Sequence, residues 1–454
     1  MPDYSYQRRI IHKVERLFAG GHNKITIQAP TGSGKTRMAL RLVERAGLRR
    51  VLYTVPTQEI HTQTHEGFEN AGLKHVNLLA GTRPSLRGHK VVLATNGTLV
   101  RRIKEGYFDA WYAEYLIVDE IHRLLDQHKS TITEFNSRVV GLTATPVRLD
   151  GRELSDLTPQ MVVGPSIKYL TKTGRLVPCR CFIARGPEIS QLRMLRGDYD
   201  RRAMEVAFTG RDVAAAIVKA WKMRAAGRRT IVFTAGVTAS QALVSAFTQA
   251  GLTAVHIDAK TPDKDRDAAL EMLRSHKIDA ICNVGLFIEG LDLVETECVL
   301  LAMGTMSLAK YLQCVGRGLR LSPHTGKKNL VVIDCGGNIS RHGPPDGDRD
   351  WANHGLYLGG QVKACRFCAA LRDLDRTPCP SCGWKDPLPP GRLPRALKSE
   401  SKRTPGRPVP GWARPVASIW VSSERERQRH GYPLPTPHCA GYTESRCMRA
   451  LRGR

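Results

Sequence analysis

The sequence lacks any long apolar run. Hydrophobic residues make up 41% of its 454 residues, yet no uninterrupted stretch approaches the roughly 20 residues that a membrane-spanning helix needs. The first residues, MPDY, also lack the basic and then apolar layout of a secretory signal peptide. We therefore expect no membrane contact and an intracellular, cytoplasmic protein.

Acidic residues are scarce relative to basic ones. Lys and Arg number 69 against 42 Asp and Glu, which gives a formal net charge of +27 and a pI near 9.9. A surplus of this size attracts polyanions, and nucleic acid is the commonest polyanion inside cells. The charge predicts a nucleic-acid partner without distinguishing DNA from RNA.

The sequence has no secretory signal that would accompany a disulfide framework, so its twelve cysteines indicate thiols or metal ligands. Residues 365–368 (CRFC) and 379–382 (CPSC) form two C-x₂-C knuckles with a short insert between them. Two such turns can bring four thiolates to about 2.3 Å from a tetrahedral Zn²⁺ in a segment too small for its own core. Disulfide bonds or chance spacing are the alternatives. We predict a zinc ribbon whose ligands are Cys365, Cys368, Cys379 and Cys382.

A glycine-rich loop, residues 29–36 (APTGSGKT), lies between an alternating strand-like segment and an amphipathic helix that stops at Gly47. Glycines let successive backbone N–H groups curl inward, Lys35 reaches the terminal phosphates, and the Thr36 hydroxyl can bind Mg²⁺. Ala29 replaces the usual first glycine, so a chance Gly-rich turn is the alternative. The predicted phosphate-binding residues are Pro30, Thr31, Gly32, Ser33, Gly34, Lys35 and Thr36.

Two adjacent acids follow a short apolar run. Residues 115–118 (YLIV) have the length of a strand and deliver Asp119 and Glu120 at its end. In P-loop enzymes an acid in this place completes the Mg²⁺ shell, and a second acid beside it polarises the attacking water. The alternative is a solvated acidic turn. We predict that Asp119 binds the metal and that Glu120 is the general base.

Four motifs in fixed order resemble those of the superfamily 2 DExH-box helicases. They are APTGSGKT at 29–36, DEIH at 119–122, the TAT of GLTATP at 141–146, and QCVGRGLR at 313–320. The resemblance covers about residues 1–345 and is nearest to phage and restriction-system helicases and to relatives of the transcription-coupled repair translocases, which act on DNA. It implies two RecA-like α/β lobes in tandem, ATP with Mg²⁺ as the nucleotide, and movement along or unwinding of nucleic acid.

The resemblance also implies nucleotide contacts outside the loop. In such helicases a glutamine placed like Gln7 reads the adenine edge, although an ordinary solvated helix start is the alternative. Residues 283–292 (NVGLFIEGLD) resemble the family motif in which a glycine backbone meets nucleic acid and an aspartate meets the ribose. The matching residues are Gly290 and Asp292.

Backbone contacts to one nucleic-acid strand are implied at the ends of two strand candidates. Hydroxyls and main-chain N–H groups at such positions hold sugar and phosphate without reading sequence. Ordinary turn and cap residues are the alternative. The residues concerned are Pro56, Thr57, Thr95 and Thr98, and those expected to couple the nucleotide state to the strand contacts are His122, Thr143 and Thr145.

Three polar residues of the last motif recur at helical spacing. Gln313, Arg317 and Arg320 stand at i, i+4 and i+7, which predicts one face of one helix. That face would look across the cleft, where two guanidinium groups would stabilise charge on the transferred phosphoryl group, as an arginine finger does. A solvated basic helix face is the alternative.

Strand candidates alternate with helical segments in both halves, which is typical of parallel sheets with helices on both faces. The candidates are residues 51–55, 76–79, 91–94, 115–118 and 139–142, then 230–233, 253–257, 278–282, 298–302 and 330–333. A Gly- and Pro-rich change of composition at 146–164 predicts the lobe boundary. We predict lobes at 1–150 and 151–345, the zinc ribbon at 346–390, and a basic Pro/Arg-rich tail at 391–454 that is disordered unless it binds a polyanion.

Together these features predict an ATP-dependent DNA helicase or translocase. An RNA helicase is one alternative, weakly disfavoured because DEIH and QCVGRGLR replace the DEAD-type motifs. A non-catalytic, zinc-dependent nucleic-acid-binding scaffold is the other, and the intact catalytic motifs argue against it. We expect the lobes to fold and bind ATP without the zinc ribbon. The ribbon and its tail would add affinity for nucleic acid that depends on the salt concentration. The predicted catalytic residues are Lys35, Asp119, Glu120, Gln313, Arg317 and Arg320.

Overall fold

The computed structural model describes residues 5–47, 49–108, 113–123, 129–133, 137–147, 154–195, 197–288, 293–351, 355–359, 362–365, 368–373, 378–379 and 381–384. They belong to a compact unit that extends to residue 386. Every helix in these ranges is too short or too polar to span a bilayer. The predicted tail at 391–454 lies outside the described residues.

The first lobe is built on a seven-stranded, fully parallel sheet with strand order β3-β4-β2-β5-β6-β1-β7. Its strands are β1 (Lys24–Gln28), β2 (Val51–Val55), β3 (Val76–Leu78), β4 (Val91–Thr95), β5 (Tyr115–Val118), β6 (Arg138–Thr143) and β7 (Gln160–Val163). Its helices are α1 (Ser5–Ala19), α2 (Lys35–Ala46), α3 (Gln58–Asn70), α4 (Asn96–Lys104) and α5 (Lys129–Thr133).

The second lobe repeats this plan with a six-stranded parallel sheet of order β12-β13-β11-β14-β15-β8. Its strands are β8 (Cys179–Ile183), β11 (Thr230–Thr234), β12 (Ala254–Ile257), β13 (Ala280–Asn283), β14 (Cys298–Ala302) and β15 (Leu330–Asp334). Between β8 and β11 the chain also forms a small antiparallel pair, β9 (Met194–Leu195) with β10 (Asp198–Tyr199). Its helices are α6 (Ile167–Lys172), which precedes β8, α7 (Arg201–Thr209), α8 (Arg211–Ala225), α9 (Val237–Gln249), α10 (Asp263–Arg274), α11 (Leu308–Gly316) and α12 (Asn338–His342).

Burial explains why the sequence forms two such lobes. All five residues are buried in each of β2, β11, β14 and β15, as expected for parallel strands covered by helices on both faces. In α2 the predicted apolar face is buried at Met38, Ala39, Leu42 and Val43, and the helix ends at Gly47 with φ 63°. The prediction of two RecA-like parallel-sheet lobes is therefore confirmed.

A large aromatic pair fills the core of the second lobe. Trp221 of α8 is fully buried and meets the Phe247 ring of α9 edge to face at 5.3 Å. Its indole N–H donates to the Thr230 hydroxyl at 2.7 Å, so the one polar group of the side chain is satisfied inside the core. The pair therefore packs α8 and α9 against β11, a central strand of the sheet that positions the second lobe's motifs.

Two strands of the large parallel sheets were not among the sequence candidates. β7 pairs with β1 in the first sheet, so that sheet continues past residue 150 into the Gly- and Pro-rich segment where we placed the boundary. β8, with sequence CRCFI, pairs with β15 at the edge of the second sheet. Both are edge strands with partly exposed residues, so neither has the continuous apolar run that marks the central strands.

The cysteine-rich segment packs against the exposed side of β8. It follows the short antiparallel pair β16 (Arg349–Asp350) and β17 (Leu356–Tyr357), and contains a second pair, β18 (Val362–Ala364) with β19 (Leu371–Asp373). Phe182 bridges to Ala370, and the Ile183 N–H donates to the Ala369 carbonyl at 3.2 Å. Cys365, Cys368 and Cys379 belong to the same buried cluster as the core of the second lobe.

Candidate active site

The predicted phosphate-binding loop joins β1 to α2 at the carboxyl edge of the first sheet. Gly34 is the N-cap of α2 with φ 78°, and Gly32 has φ 83°, both left-handed conformations that favour glycine. A β-carbon at Gly34 would lie 2.5 Å from Gln7 Nε2, and one at Gly32 would lie 2.7 Å from Leu176 Cδ2. The backbone therefore needs glycine at both positions, and the first turn of α2 presents its N–H groups as an anion site.

Two side chains of α1 hold one carbonyl of the loop. The Tyr6 hydroxyl donates to the Ser33 carbonyl at 2.7 Å, and Gln7 Nε2 donates to the same oxygen at 3.0 Å. In a trans peptide the C=O and the following N–H point in opposite directions. The two hydrogen bonds to the Ser33 carbonyl therefore orient the Gly34 N–H away from α1. Tyr6 was not among the predicted site residues, since a single tyrosine near a helix start carries no recognisable pattern.

Gln7 lies beside the phosphate-binding loop at 29–36, the phosphate cradle of this protein, and is fully buried. Its Oε1 has no hydrogen-bond partner among the described residues, so its acceptor side is unsatisfied while its donor side contacts Ser33. An unsatisfied amide oxygen next to a phosphate cradle suits an adenine amino group. Reading of the adenine edge by Gln7 stays a prediction.

The two adjacent acids lie at the end of β5, next to the loop. Asp119 is buried, and its N–H donates to the Thr54 carbonyl of β2 at 2.9 Å. Its Oδ1 accepts the Glu120 N–H at 3.0 Å, and Glu120 has φ 46°, an uncommon conformation outside glycine. This turn directs Glu120 toward Lys35, whose Nζ lies 3.7 Å from Glu120 Oε1. The structure thus brings together the cradle lysine and the predicted base.

A polar chain continues from Glu120 into β6. His122 Nδ1 lies 2.9 Å from Thr143 Oγ1 and 3.3 Å from Glu120 Oε2. Thr143 Oγ1 donates to the Thr145 carbonyl at 2.9 Å and accepts the Thr145 N–H at 3.0 Å. Because the one hydroxyl proton of Thr143 is already used, His122 must donate from Nδ1. The predicted coupling residues therefore form one contiguous chain with the base.

Electrostatics keeps this chain in a defined protonation state. Burial raises the pKa of Glu120, but the charges of Lys35 and Arg317 lower it below the ordinary value, so the carboxyl is ionised. Burial lowers the pKa of His122 to about 4, despite the opposing charge of Glu120. At neutral pH the site therefore contains a carboxylate base beside a neutral imidazole.

The last motif reaches this site, but not as one helical face. α11 ends at Gly316, so Gln313 is inside the helix, Arg317 is its C-cap, and Arg320 lies beyond it in a β-bridge with Leu176. The prediction that i, i+4 and i+7 spacing places all three on one helix is therefore wrong. Gly318, just beyond the helix, packs closely on β15, since a β-carbon there would lie 2.3 Å from Leu330 Cδ1.

The second lobe nevertheless touches the cradle through this segment. A β-carbon at Gly316 would lie 2.9 Å from the Thr31 β-carbon, and Arg320 Cγ lies 3.9 Å from the β-carbon position of Gly32. Arg317 is near enough to Glu120 for its charge to lower the pKa of that carboxyl. Gln313 is buried, and its Nε2 has no hydrogen-bond partner among the described residues. Both lobes thus contribute charged or polar groups to one site.

The predicted nucleic-acid contacts fall at the carboxyl edge of the first sheet. Thr57 caps α3 by accepting the Ile60 N–H at 3.4 Å, and Thr95 caps α4 by accepting the Thr98 N–H at 3.4 Å. Thr95 also donates to the Thr98 hydroxyl at 3.0 Å. Pro56 is half-buried directly before Thr57. These residues act as caps here, and strand binding by them stays a prediction.

Gly290 and Asp292, predicted to meet nucleic acid and the ribose, lie outside the described residues.

The four predicted metal ligands converge. Their sulfur atoms lie within 4.8 Å of one another, with Cys365 to Cys382 and Cys368 to Cys379 both at 3.7 Å. A tetrahedron of thiolates at about 2.3 Å from Zn²⁺ separates its sulfurs by about 3.8 Å. The donor set and its spacing fit a structural Zn²⁺.

Comparison with known proteins agrees with this arrangement. Residues 1–148 match the family of the type III restriction enzyme res subunit, and residues 212–322 match the helicase conserved C-terminal domain. The first match spans the loop and the paired acids, and the second spans the motif that reaches across from the second lobe.

Several relatives cover most of the chain. A 51.5 kDa protein of a Lactococcus phage is 30% identical over 79% of this chain and 77% of its own length. The putative ATP-dependent helicase IRC3 of Saccharomyces cerevisiae is 24% identical over 72% of this chain and 50% of its own length. The chain thus spans about half of the yeast relative.

Many solved structures share the fold. A fragment of a putative HsdR subunit of a type I restriction enzyme from Vibrio vulnificus YJ016 superimposes with a TM-score of 0.59 at 19% identity, over 75% of this chain and 65% of that one. The ATP-dependent type ISP restriction-modification enzyme LlaBIII, bound to DNA, gives 0.56 at 18% identity, over 72% and 27%.

The fold and the site define an ATPase in which two RecA-like lobes enclose a phosphate cradle. The chain belongs to the superfamily 2 helicases, with a first lobe of the restriction-enzyme type. It is accordingly a nucleic-acid-dependent ATPase of the helicase kind, with ATP and Mg²⁺ as the ligands that this family uses.

Proposed function

We propose that this chain hydrolyses ATP to move along or unwind DNA. The observation that carries the proposal is that charged groups of both lobes act on the Glu120 carboxylate. Lys35 of the cradle lies 3.7 Å from Glu120 at the end of β5, and the charge of Arg317 from the second lobe acts on the same carboxylate. A site shared by two lobes can be opened and closed by the nucleotide.

Glu120 is the general base in this proposal. With ATP bound, Lys35 turns from Glu120 to the β- and γ-phosphates, which frees the carboxylate to accept a proton from water. The water oxygen attacks the γ-phosphorus, the bond from that phosphorus to the β,γ-bridging oxygen breaks, and ADP and inorganic phosphate leave. Until the nucleotide binds, Lys35 thus keeps the ionised Glu120 carboxylate paired with a positive charge, so that it cannot act as the base.

Thr36 and Asp119 are the residues that would hold Mg²⁺, which when bound offsets the negative charge of the phosphates. Thr36 is in the first turn of α2, and Asp119 is buried at the neighbouring strand end. Arg317 and Arg320 face the cradle from the second lobe and stabilise charge that grows on the transferred group. Gln313, buried inside α11, is the third polar residue of this motif that we assign to the site.

The polar chain from Glu120 through His122 to Thr143 and Thr145 links the base to the end of β6. The Ala29 N–H of the cradle donates to the Thr143 carbonyl at 2.8 Å, so the loop and this chain share one strand end. If the nucleotide displaces Glu120, the contacts of His122 with Thr143 at the end of β6 should therefore change as well. We propose that this linkage passes the nucleotide state to the strand contacts of Pro56, Thr57, Thr95 and Thr98.

DNA is favoured as the polymer for two reasons. The first lobe matches restriction enzymes, and LlaBIII, which shares the fold, is described bound to DNA. The net charge of +27 supplies general affinity for any nucleic acid. The basic tail would add to this grip without base specificity.

The test compares ATP turnover with single-stranded DNA, double-stranded DNA, forked DNA and RNA of matched length. We expect DNA to stimulate turnover at least tenfold more than RNA does. A stronger response to RNA would replace the DNA assignment with that of an RNA helicase. Absence of turnover with every polymer would support the non-catalytic scaffold instead.

Cys365, Cys368, Cys379 and Cys382 would hold one structural Zn²⁺ in the proposed protein. Their closeness in the described structure supports this, because four sulfurs at such spacing without a cation would bury thiols against one another. Elemental analysis of protein purified without chelator should find Zn²⁺ in the preparation.

A further inference from the structure

A second group of metal-ligating side chains lies in the first lobe, away from the cysteines. His61, His65 and Glu69 stand at i, i+4 and i+8 on α3, so they share one face of that helix. His75 approaches the same face from the segment between α3 and β3. Donor atoms of His65, Glu69 and His75 lie within 4.8 Å of one another.

The two imidazoles meet through their ring nitrogens. His65 Nδ1 lies 2.8 Å from His75 Nε2, and Asn77 Nδ2 lies 3.1 Å from the same His65 nitrogen. His75 Nδ1 is 2.8 Å from the Leu73 carbonyl and 3.7 Å from Glu69 Oε1. The His75 side chain is 1% exposed, whereas that of Glu69 is 65% exposed and free to change rotamer.

The hydrogen-bond partners of the two rings indicate that neither His65 Nδ1 nor His75 Nε2 carries a proton. A carbonyl only accepts, so His75 Nδ1 must carry its proton and Nε2 of the neutral ring is a lone pair. An amide nitrogen only donates, so His65 Nδ1 is a lone pair as well. With these assignments two lone pairs face each other at 2.8 Å, an arrangement that a cation between or beside the rings would relieve.

We propose that His65, His75 and Glu69 bind a divalent transition-metal ion of the Zn²⁺ class. The ligands would be His65 Nδ1, His75 Nε2 and a carboxylate oxygen of Glu69, a set that suits zinc, cobalt or nickel. The hydrogen bond from His75 Nδ1 to a backbone carbonyl is the orienting contact that metal-binding histidines usually have. Two nitrogens at about 2.05 Å from a tetrahedral ion lie about 3.3 Å apart, so the rings must separate by roughly 0.5 Å.

Two further observations favour a ligand at this place. Asn77 Oδ1 is buried without a hydrogen-bond partner among the described residues, and so is Nε2 of His61, one turn before His65. Unsatisfied buried acceptors beside paired imidazoles suit a bound cation with its water.

A metal here would fasten the segment at 71–75 to α3. That helix begins directly after Thr57 and packs near the cradle, since a β-carbon at Gly67 would lie 4.0 Å from Thr36 Cγ2. The ion would therefore stiffen the helix that supports both the Mg²⁺-binding turn and one predicted strand contact.

Equilibrium dialysis of the full chain against Zn²⁺ tests the proposal. Wild-type protein should bind two equivalents, one at the cysteines and one here, and His65→Gln/His75→Gln should bind one. Glu69→Gln, at an exposed position that cannot disturb the core, should weaken the second site by about tenfold or more. His22→Gln, an exposed histidine outside the cluster, is the matched control and should keep two.

Co²⁺ supplies an independent readout. The cysteine site gives thiolate-to-cobalt charge-transfer bands, whereas the histidine site adds only ligand-field bands, which should disappear in His65→Gln/His75→Gln and remain in Cys368→Ser/Cys379→Ser. The proposal is overturned if wild-type protein never exceeds one equivalent, or if Glu69→Gln and wild type bind the second equivalent alike. The first result would mean that the Asn77 amide is turned over and the two histidines share a proton.

Discussion

Glu120 combines an uncommon backbone conformation with a defined charge. Its φ of 46° costs about 1–3 kcal/mol in a residue with a side chain, and such strain is found at functional sites. Lys35 and His122 lie on either side of its carboxylate. The residue is therefore held where a base is needed rather than where the backbone would relax.

We predict that Glu120→Gln keeps ATP binding and loses hydrolysis. The amide has nearly the same shape but cannot take a proton from water, so turnover should fall by a factor of roughly 10²–10⁴. Steady-state ATPase assays and nucleotide-binding measurements separate the two effects. Glu44→Gln, at an exposed position of α2, is the control and should behave like wild type. Turnover within a few-fold of wild type in Glu120→Gln would assign the base to another group.

His342 provides a proton-linked contribution to stability in the second lobe. Its Nε2 donates to the Thr305 carbonyl at 2.9 Å. Burial lowers the pKa of His342 to about 4, the Thr305 contact and Asp198 act in the opposite direction, and Arg341 and Arg349 lower it further. The folded protein thus keeps this imidazole neutral at a pH where a free histidine is protonated.

The free energy of unfolding should therefore fall as the pH is lowered from about 6.5 to 4. The unfolded chain binds the extra proton in that window and the folded chain does not, which costs at most about 3 kcal/mol for one such residue. Chemical denaturation at several pH values measures the slope. His342→Gln keeps a donor for Thr305 and should show a shallower slope than wild type. Equal slopes would mean that His342 does not carry this linkage.

At the residue scale, the sequence identified the groups with sharp motifs and missed those without. Lys35 and Glu120 follow from spacing alone, because a phosphate cradle and a strand-end acid pair restrict both residue type and order. Tyr6 has no such signal, since its role depends on how α1 folds back on the loop over a distance of 27 residues. The pairing of His65 with His75 likewise depends on tertiary packing.

At the scale of elements, central strands were predictable and edge strands were not. β2 and β5 coincide with their candidates because burial on both faces leaves a continuous apolar run. β7 and β8 are edge strands with mixed exposure, so their sequences resemble loops. The end of α11 also escaped prediction, since helical spacing does not reveal the close packing of Gly316 and Gly318 on other segments.

The shorter α11 changes how the second lobe presents its arginines. Arg320 is fixed by its β-bridge to Leu176, which also covers Gly32. Arg320→Ala should depress turnover by about a thousandfold while ATP affinity changes little, because the guanidinium acts on charge that develops in the transition state. Arg320→Lys should not restore it fully, since a point charge lacks the planar fork.

Measurements of turnover and of nucleotide affinity in the same preparations distinguish these outcomes. Arg201→Ala, at an exposed position of α7, is the matched control. Full activity in Arg320→Lys would show that only the charge matters, and a parallel loss of affinity would place Arg320 in ground-state binding.

At the scale of the whole molecule, the cysteine segment is part of the second lobe rather than an appendage. Its cysteines share the buried cluster of that lobe, and Arg180 of β8 donates to the Ser381 hydroxyl at 3.2 Å. From the sequence we expected the lobes to fold without this segment, because paired knuckles usually form small independent units. The contact with the β8 edge is a tertiary feature that spacing could not reveal.

Removing the metal should therefore destabilise the second lobe. Metal binding at four thiolates contributes directly to folding, and here the folded knuckles cover Phe182 and Ile183 at the sheet edge. Chelation should lower the melting temperature of the wild-type protein by about 5 °C or more. Cys368→Ser/Cys379→Ser should start from the lower temperature and not respond to chelator.

Thermal melts with and without chelator, paired with elemental analysis, measure this. Cys439→Ser/Cys447→Ser removes two cysteines outside the knuckles and should behave like wild type. Because β8 continues from Leu176, which covers the cradle, the chelated protein should also show weaker coupling of nucleotide binding to stability. If the metal is removed completely and the melting temperature stays unchanged, the segment folds on β8 through its apolar contacts alone, and the zinc has no part in supporting the second lobe.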